Sequence, residues 1–472
     1  MSKEKELAKN TAIITFGKIC TQLISFFLLP LYTTILSTNE YGTVDLVITY
    51  SSLLLPLVTL AIEQALFRFL IDVRGNENDN NRIISTAVLF TIMQCLLVSV
   101  LVLFVRLLFN SPLIVYFWLI LVTSTLSATA LQLSRGFGDN IGYTLGSTAT
   151  AIGQIICNVV FLVIFHMGAV GMMLATFFGN LACTIIIVYR CKLFQYIRIK
   201  YFNSETFKEL LKYSIPLIPN QLSWWALNAS DKVIVQIFIG IAGNGIIAVA
   251  NKFPSMYIQF SNIFNISWME SAALHINDKD ANIFFKKTIT SVYNLFLCAC
   301  CIIIVVLPFV FSFLINESYN KAYDLIPIFM LASLFNVIVS LYGVIYVAHK
   351  RTKEIAQTAI YAATINIFSH LILINFIGLY AAAVSTMLGY GCMAIYRYFH
   401  SRRYLEIKFS NKDLLISISM ILISLVSYYI TLLFVHILVL FIVVIMSVIV
   451  NKDTIYLILN YGMKSLKRKN KI

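Results

Sequence analysis

Residues 413–451 read DLLISISMILISLVSYYITLLFVHILVLFIVVIMSVIVN, a run in which Asp413 is the only acidic or basic side chain apart from the neutral His436. About 20 mostly apolar residues are enough for an α-helix to cross the hydrocarbon core of a bilayer. The run is therefore long enough for two short membrane-spanning helices, and we expect the turn between them near His436. A single span is the alternative, and it would move the C-terminus to the opposite side of the membrane.

The composition of the whole chain agrees with this run. Of its 472 residues, 60% are hydrophobic and 12% are charged, and the mean hydropathy is +0.86. Soluble domains carry about 25% charged residues and about 45–50% apolar ones. These values exclude a soluble enzyme, a nucleic-acid-binding protein and a disordered chain. They predict an all-α, polytopic membrane protein, because a membrane β-barrel would show short alternating segments instead of long apolar runs.

The apolar runs predict fourteen membrane spans. They cover residues 11–36, 42–66, 83–108, 112–134, 142–165, 169–189, 213–239, 245–270, 288–315, 325–347, 355–376, 379–396, 413–434 and 437–451. No small-residue cleavage site follows a short apolar core near the start, so we expect the first run to be an uncleaved span. The nine cysteines lie mostly within apolar runs and form no CxxC pair, which predicts buried side chains and no metal site.

The distribution of basic residues predicts the orientation. With the N-terminus in the cytoplasm, 30 of the 35 Lys and Arg residues fall in cytoplasmic segments, while Arg106 and Lys321 fall in outer loops. This asymmetry follows the positive-inside rule and places both termini in the cytoplasm. The net charge of +14 is thereby explained by topology and by contact with anionic membrane lipids, without a nucleic-acid partner.

The spans group into two halves of six, joined by the longest cytoplasmic connection, and a final pair. We therefore predict an N-terminal lobe at 1–200, a C-terminal lobe at 201–400, and a helix pair with a basic tail at 401–472. The halves have parallel topology, as in many transporters. Because the outer loops are short, a membrane glycosyltransferase or polymerase with a catalytic outer loop is not expected, and the chain is predicted not to be an enzyme.

Ionisable side chains at membrane depth are costly and usually line a cavity or bind a partner. Here they concentrate on the first two spans of each half, as a water-filled cleft between the halves requires. The bases are Lys18, Arg68, Lys232 and Lys252, and the acids are Asp45, Glu63, Asp231 and Glu270. A shift of 207 residues superimposes Asp45 on Lys252 and Glu63 on Glu270. Asp45 and Glu63 are 18 residues apart, which equals five helical turns, so we expect them on one face of the second span.

Two further features bear on mechanism. Pro216 and Pro219 stand at the start of the seventh span, where the loss of backbone hydrogen bonds suits a helix that bends during gating. The sequence has no GxxxxGK[ST] phosphate-binding loop, so transport would use an ion gradient, the membrane potential or the gradient of the substrate.

Two stretches resemble the polysaccharide repeat-unit flippases that export O-antigen and capsule units. Residues 9–47 read KNTAIITFGKICTQLISFFLLPLYTTILSTNEYGTVDLV, and residues 212–252 read KYSIPLIPNQLSWWALNASDKVIVQIFIGIAGNGIIAVANK. The first carries the LPLYTxxLSxxEYG pattern, and the second carries YSxPLxP, a DK pair and a closing ANK. These flippases belong to the multidrug, oligosaccharidyl-lipid and polysaccharide exporter superfamily.

The resemblance implies two six-helix lobes around a central cavity that opens alternately to each side of a bacterial inner membrane. It implies an undecaprenyl-pyrophosphate-linked oligosaccharide as substrate, moved to the outer leaflet for lipopolysaccharide or capsule assembly, together with other polysaccharide-assembly proteins as partners. Lys18 and Lys252 occur where such proteins often carry cavity cations, and Asp45 and Asp231 where they often carry acids. Lys232 and Arg68 are added as substrate-binding candidates, and the four acids listed above as candidates for ion coupling.

Several alternatives stay open. A peptidoglycan lipid-precursor flippase and a drug/cation antiporter of the same superfamily share the predicted architecture. No cofactor is implied, while coupling to H⁺ or Na⁺ is left open.

Overall fold

The structure is a computed structural model that describes residues 26–73, 76–276, 278–349, 351–405, 407, 410–430, 432–452 and 456. In this part of the chain all regular secondary structure is helical and there is no β-strand, which confirms the predicted all-α class. The helices are α1 (Leu29–Ile35), α2 (Thr38–Val58), α3 (Ile62–Asp72), α4 (Glu77–Leu108), α5 (Leu113–Gly136), α6 (Asn140–Asn158, continued by a π-helical turn Val159–Ile164), α7 (Gly168–Arg190), α8 (Ser204–Ser214), α9 (Ile218–Phe238), α10 (Ile241–Ala250), α11 (Lys252–His275), α12 (Ala281–Leu314), α13 (Lys321–Ala348), α14 (Thr352–Ile377), α15 (Tyr380–His400), α16 (Asn411–Tyr429) and α17 (Leu433–Val450).

Among the described residues, ten helices are long and apolar enough to cross a membrane. They are α2, α4, α5, α6 with its π-helical turn, α7, α12, α13, α14, α16 and α17. Helices α9, α11 and α15 coincide with three further predicted spans and have 21 to 24 residues, but they carry more polar side chains. The predicted first span lies mostly outside the described residues, so the count of fourteen stays a prediction.

The predicted second span, 42–66, is wrong as a continuous helix. Helix α2 ends at Val58, and Leu60 and Ala61 have φ angles of 49° and 52°, in the left-handed region that L-residues rarely adopt. The Thr59 hydroxyl accepts the Ala61 backbone N–H at 3.1 Å and donates to the Leu55 carbonyl at 3.0 Å, which supports the break. The helical count between Asp45 and Glu63 is thereby interrupted, so the argument from five continuous turns that places them on one face no longer applies.

The final apolar run, residues 413–451, forms two helices, which agrees with the prediction of two short spans and not with the alternative of a single span. Helix α16 ends at Tyr429 and α17 begins at Leu433, so the two helices are separated before His436, and the expected turn near His436 is wrong. His436 is instead buried inside α17, where its ring contacts Phe309 of α12 edge to face at 5.7 Å. An imidazole that packs against an aromatic ring is compatible with a helix interior, so the histidine does not mark a turn.

The chain divides into two compact units, one up to Val249 and one from Ala250. In the first unit, α9 packs against α2, so the division falls after the start of the predicted C-terminal lobe. The predicted boundaries at residues 200 and 400 stay predictions. In the second unit, α13 packs against α11, α12 and α15 and is among the most buried helices.

The connection between α7 and α8 is ordered by side chains at the start of α4. It contains two 3₁₀ turns, Leu193–Gln195 and Ile199–Tyr201. The Ser85 hydroxyl donates to the Tyr196 carbonyl at 2.5 Å and accepts the Arg198 N–H at 3.2 Å. Because these bonds satisfy backbone groups outside regular helices, the segment has one defined path across the end of the first unit.

In the second unit, one buried arginine joins three helices. Arg397 of α15 is 3% exposed, and its guanidinium donates to the Val339 carbonyl of α13 at 2.9 Å and to the Thr358 hydroxyl of α14 at 2.7 and 3.1 Å. Within the described residues it forms no salt bridge, so hydrogen bonds and the ring of Tyr346, 5.8 Å away, compensate its charge.

We expect Arg397→Met to lower the stability of the purified protein in detergent by about 2–4 kcal/mol, because hydrogen bonds to charged groups contribute about 1.5–3 kcal/mol each and their acceptors would stay buried. The measurement is the thermal unfolding midpoint in one detergent. Arg403→Gln is the matched control, since Arg403 is exposed three residues after α15 and is expected to leave the midpoint unchanged. Equal midpoints for Arg397→Met and the wild type would contradict the structural role.

Candidate functional site

A lysine–carboxylate pair lies within the membrane helices of the first unit. Lys232 Nζ of α9 donates to Asp45 Oδ1 of α2 at 2.8 Å, and the two side chains are 21% and 19% exposed. The other carboxylate oxygen, Oδ2, accepts from Asn244 Nδ2 of α10 at 3.2 Å. We call Asp45, Lys232 and Asn244 the polar triad. Opposite charges in contact reduce the cost of ions at membrane depth, and about one fifth of each side chain stays exposed.

A second set of polar contacts follows about one turn further along α2. The Tyr50 hydroxyl donates to Gln236 Oε1 at 2.7 Å, and Trp225 Nε1 is 3.2 Å from both the Thr49 carbonyl and the Ser52 hydroxyl. Each contact joins α2 to α9. Polar groups therefore hold residues 45–52 of α2 against residues 225–236 of α9, and such polar contacts are a common form of helix association in a membrane.

Two glycines bring α2 and α10 into backbone contact next to the polar triad. A Cβ atom on Gly42 would overlap the Ile241 carbonyl oxygen, and one on Gly245 would overlap the Thr38 carbonyl oxygen. This close approach allows Asn244, which is fully buried, to donate to the Gly42 carbonyl at 3.0 Å as well as to Asp45. The glycines thus determine where the asparagine amide meets the carboxylate.

Glu63 stands at the start of α3, directly after the break in the second span. Its side chain is 4% exposed, and within the described residues its Oε2 atom has no hydrogen-bond partner. A buried carboxyl group that is not fully hydrogen-bonded is uncommon and is a candidate for proton or ion exchange. The break places this group at the N-terminus of a new helix instead of in the middle of a continuous one.

Among the described residues, the other predicted site residues do not belong to the polar triad. Asp231 is buried in α9 beside Lys232, but it is Asp45 that pairs with the lysine. Arg68 forms an exposed pair with Asp72 at 2.5 Å. Lys252 is the first residue of α11, in the second unit. Lys18 and the side chain of Glu270 lie outside the described residues, and their roles stay predictions.

The predicted gating prolines occupy helix starts. Pro216 lies in the 3₁₀ turn Ile215–Leu217, and Pro219 lies in the first turn of α9. Backbone N–H groups in the first turn have no intrahelical acceptor, so Pro219 removes no helical hydrogen bond. The loosening argued from the sequence therefore does not apply at Pro219, while a gating role for the region stays a prediction.

Sequence reasoning missed Asn244, Tyr50 and Gln236 as members of the polar contacts. These three side chains are uncharged. The free-energy cost of an ionised group at membrane depth, which singled out Asp45 and Lys232, therefore did not point to them. The available signal was the spacing of Gly240, Asn244 and Gly245, because small residues and an amide within two helical turns are typical of close helix packing in membranes.

Comparisons with known structures show the fold. The chain is similar to the lipid II flippase MurJ in an inward closed conformation, with a TM-score of 0.70, 16% identity, and coverage of 94% of this chain and 99% of that one. A multidrug resistance MATE family transporter of the MOP superfamily in an inward-facing conformation gives a TM-score of 0.70 at 12% identity, covering 83% and 97%. The outward-facing conformation gives 0.59 at 11% identity, covering 84% and 95%. The chain thus has the fold of these multi-pass membrane transporters.

No curated protein matches this sequence. The family model described as polysaccharide biosynthesis protein matches residues 7–268, which is more than half of the chain and includes both stretches on which the resemblance rests. The chain therefore belongs to the polysaccharide biosynthesis protein family.

Proposed function

We propose that this protein flips undecaprenyl-pyrophosphate-linked oligosaccharide repeat units from the cytoplasmic to the outer leaflet, by alternating access and without ATP hydrolysis. The family assignment and the transporter fold support a membrane carrier instead of an enzyme. The observation that carries the proposal is the Lys232–Asp45 pair, an accessible cation and carboxylate between membrane helices. A diphosphate-sugar headgroup needs such groups to replace its hydration inside about 30 Å of hydrocarbon.

The pair also suggests how binding and release are linked. While Asp45 neutralises Lys232, the lysine has little affinity for a second anion. A pyrophosphate that displaces the carboxylate gains a charge-assisted hydrogen bond and leaves Asp45 without its cation, held by Asn244. Protonation of the displaced carboxylate then favours the bound state, and loss of that proton restores the ion pair and expels the anion. Lys252 and Lys18 are also proposed as substrate-binding residues, as the resemblance to repeat-unit flippases implies.

We propose Glu63 as a second coupling acid, and we expect Glu63→Gln to retain normal membrane levels while lowering flipping at least about tenfold. The amide has nearly the shape of the acid but exchanges no proton, so a purely structural carboxyl would tolerate the change. The measurement is the initial rate of outer-leaflet glycan labelling in whole cells at two external pH values. Asp72→Asn is the control, because Asp72 is exposed on the same helix. A wild-type rate and pH response for Glu63→Gln would remove this residue from the coupling mechanism.

A peptidoglycan-precursor flippase is the second candidate function, favoured by the extent of the likeness to the lipid II flippase. The deciding experiment is complementation. The chain is expressed in one bacterial strain that lacks its repeat-unit flippase and in another whose lipid II flippase is depleted, with protein levels in the inner membrane verified. Restored surface polysaccharide in the first strain alone is expected. Growth of the second strain alone would assign the peptidoglycan precursor, and drug resistance without either rescue would assign the antiporter function.

A further inference from the structure

An apolar groove of about 180 Å³ runs along the surface of the first unit, away from the polar triad. Side chains of α4, α5 and α7 line its length, and the segment after α7 closes one end. We call it the α4–α7 groove. None of its lining residues belongs to the polar contacts between α2, α9 and α10, so the proposed transport mechanism does not use it.

The threonines in the α4–α7 groove present methyl groups to it. The hydroxyls of Thr91, Thr129 and Thr184 donate to the carbonyls four residues earlier in their own helices, at 2.9, 3.0 and 3.0 Å. Their polar atoms are therefore satisfied within the helices, and the remaining lining is almost entirely hydrocarbon. Such a surface suits a saturated or isoprenoid chain and offers nothing to a polar ligand.

The closed end of the groove is fixed in place. Leu193 is buried, Phe194 is 77% exposed, and both line the groove together with Ile197. Ser85 holds this segment through the Tyr196 carbonyl and the Arg198 N–H, as described for the connection between α7 and α8. Because side-chain hydrogen bonds hold its end wall, the groove exists without a ligand and little ordering is needed when a chain enters.

Three basic residues flank, in the sequence, the segment that closes this end of the groove. Arg190 pairs with Asp139 at 2.5 Å, whereas Lys192 and Arg198 are exposed and form no salt bridge within the described part of the chain. The charge pattern of the sequence predicts that this end faces the cytoplasm, where the leaflet carries anionic lipids. An apolar groove that ends at two uncompensated cations matches a molecule with a hydrocarbon chain and an anionic head.

We propose that the α4–α7 groove is a binding site for an anionic bilayer phospholipid, with one acyl chain in the groove and the phosphate at Lys192 and Arg198. The acyl chain gains little free energy when it leaves the surrounding lipid tails, because they are as apolar as the groove. It therefore fixes where the lipid binds and contributes little to the binding affinity. Preference for this lipid comes from the two cations, each of which contributes about tenfold or less to the attraction of an anionic headgroup.

The test is native mass spectrometry of the full chain released from mixed vesicles of phosphatidylglycerol and phosphatidylcholine in equal amounts. We expect the wild type to retain one phosphatidylglycerol in preference to phosphatidylcholine. The double variant Lys192→Gln/Arg198→Gln is expected to lose this preference by roughly thirtyfold, in line with the contribution of two basic residues. Lys353→Gln, an exposed lysine in the second unit, is the control and is expected to keep the preference.

The groove itself is tested by Thr184→Phe and Val188→Phe, which fill it from α7. Their matched control is Ile185→Phe, since Ile185 is on the same helix, 47% exposed, and does not line the groove. Retention is expected to fall at least about tenfold in both filling variants and to stay unchanged in the control. Retention that is equal in all variants would show non-specific annular lipid and overturn the proposal. The filling variants could also fail to complement the flippase-deficient strain while they retain phosphatidylglycerol as the wild type does. That result would overturn the proposal too, because the groove would then hold the tail of the transported lipid.

Discussion

Charge reversal at one member of the Lys232–Asp45 pair is expected to abolish transport, and reversal at both members is expected to restore much of it. Lys232→Asp places two carboxylates within contact distance between membrane helices, and Asp45→Lys places two ammonium groups there. Removing one partner of a buried pair costs about 3–5 kcal/mol, and the partial exposure here lowers this to about 1–3 kcal/mol. Since each 1.4 kcal/mol is a factor of ten, each reversal should reduce flipping by about 5- to 150-fold.

The measurement is a double-mutant cycle on the rate of outer-leaflet glycan labelling, normalised to the amount of protein in the membrane. The double variant Asp45→Lys/Lys232→Asp should recover a coupling energy of at least about 1.5 kcal/mol if the two side chains interact directly. Neutralising the Arg82–Asp79 pair is the matched control, because its side chains are 46% and 36% exposed and such pairs contribute less than about 1 kcal/mol. Additive losses in the cycle would mean that Lys232 and Asp45 act independently.

The neutral variants separate a functional pair from a structural one. Lys232→Gln and Asp45→Asn keep hydrogen-bonding capacity and avoid an unpaired charge, so the protein should reach the membrane at close to normal levels. Flipping should still fall at least about tenfold in each, because neither variant can exchange a carboxylate for a pyrophosphate at the lysine. Normal flipping in Lys232→Gln would contradict the exchange mechanism while leaving the family assignment intact.

Adding a single methyl group at Gly245 is expected to destabilise the first unit strongly. The Cβ atom of Gly245→Ala would overlap the Thr38 carbonyl oxygen, and backbone atoms cannot rotate away as a flexible side chain could. Overpacking of this kind typically costs about 1–3 kcal/mol, and the displacement of α10 would also break the hydrogen bonds of Asn244 to Gly42 and Asp45. We expect a total loss of about 2–4 kcal/mol, which combines both terms.

Thermal unfolding of the purified protein in detergent measures this effect. Gly42→Ala should behave in the same way, since its Cβ would meet the Ile241 carbonyl. Gly391→Ala is the control, because the nearest atom to its Cβ would be 3.8 Å away, an ordinary van der Waals contact, and its helix would gain from the higher propensity of alanine. A thermal midpoint for Gly245→Ala at or above that of the wild type would show that α2 and α10 do not approach through their backbones.

The sequence predicted the charged residues of the polar triad better than the uncharged one. Charged residues inside apolar runs are visible at once, because the bilayer makes each of them expensive, and Asp45 and Lys232 were both named on that ground. Their pairing was not predictable, since Asp231 is the nearer carboxylate in sequence and helix geometry alone does not favour a residue 187 positions away. Asn244 carries no charge, so its role depended on the contact that two glycines permit.

The sequence by itself determined the class of protein, the position of most membrane helices and the family. These properties follow from local quantities, namely the length of apolar runs, the asymmetry of basic loops and two short motifs, and none of them needs knowledge of which helices touch. Only the tertiary structure decided the break at Thr59–Ala61, the end of α16 at Tyr429 and the start of α17 at Leu433, the partner of Lys232 and the path of the α4–α7 groove. Each of these depends on competing contacts between segments far apart in the chain, where a hydroxyl, a missing Cβ or a neighbouring carboxylate overrides the local preference of the backbone.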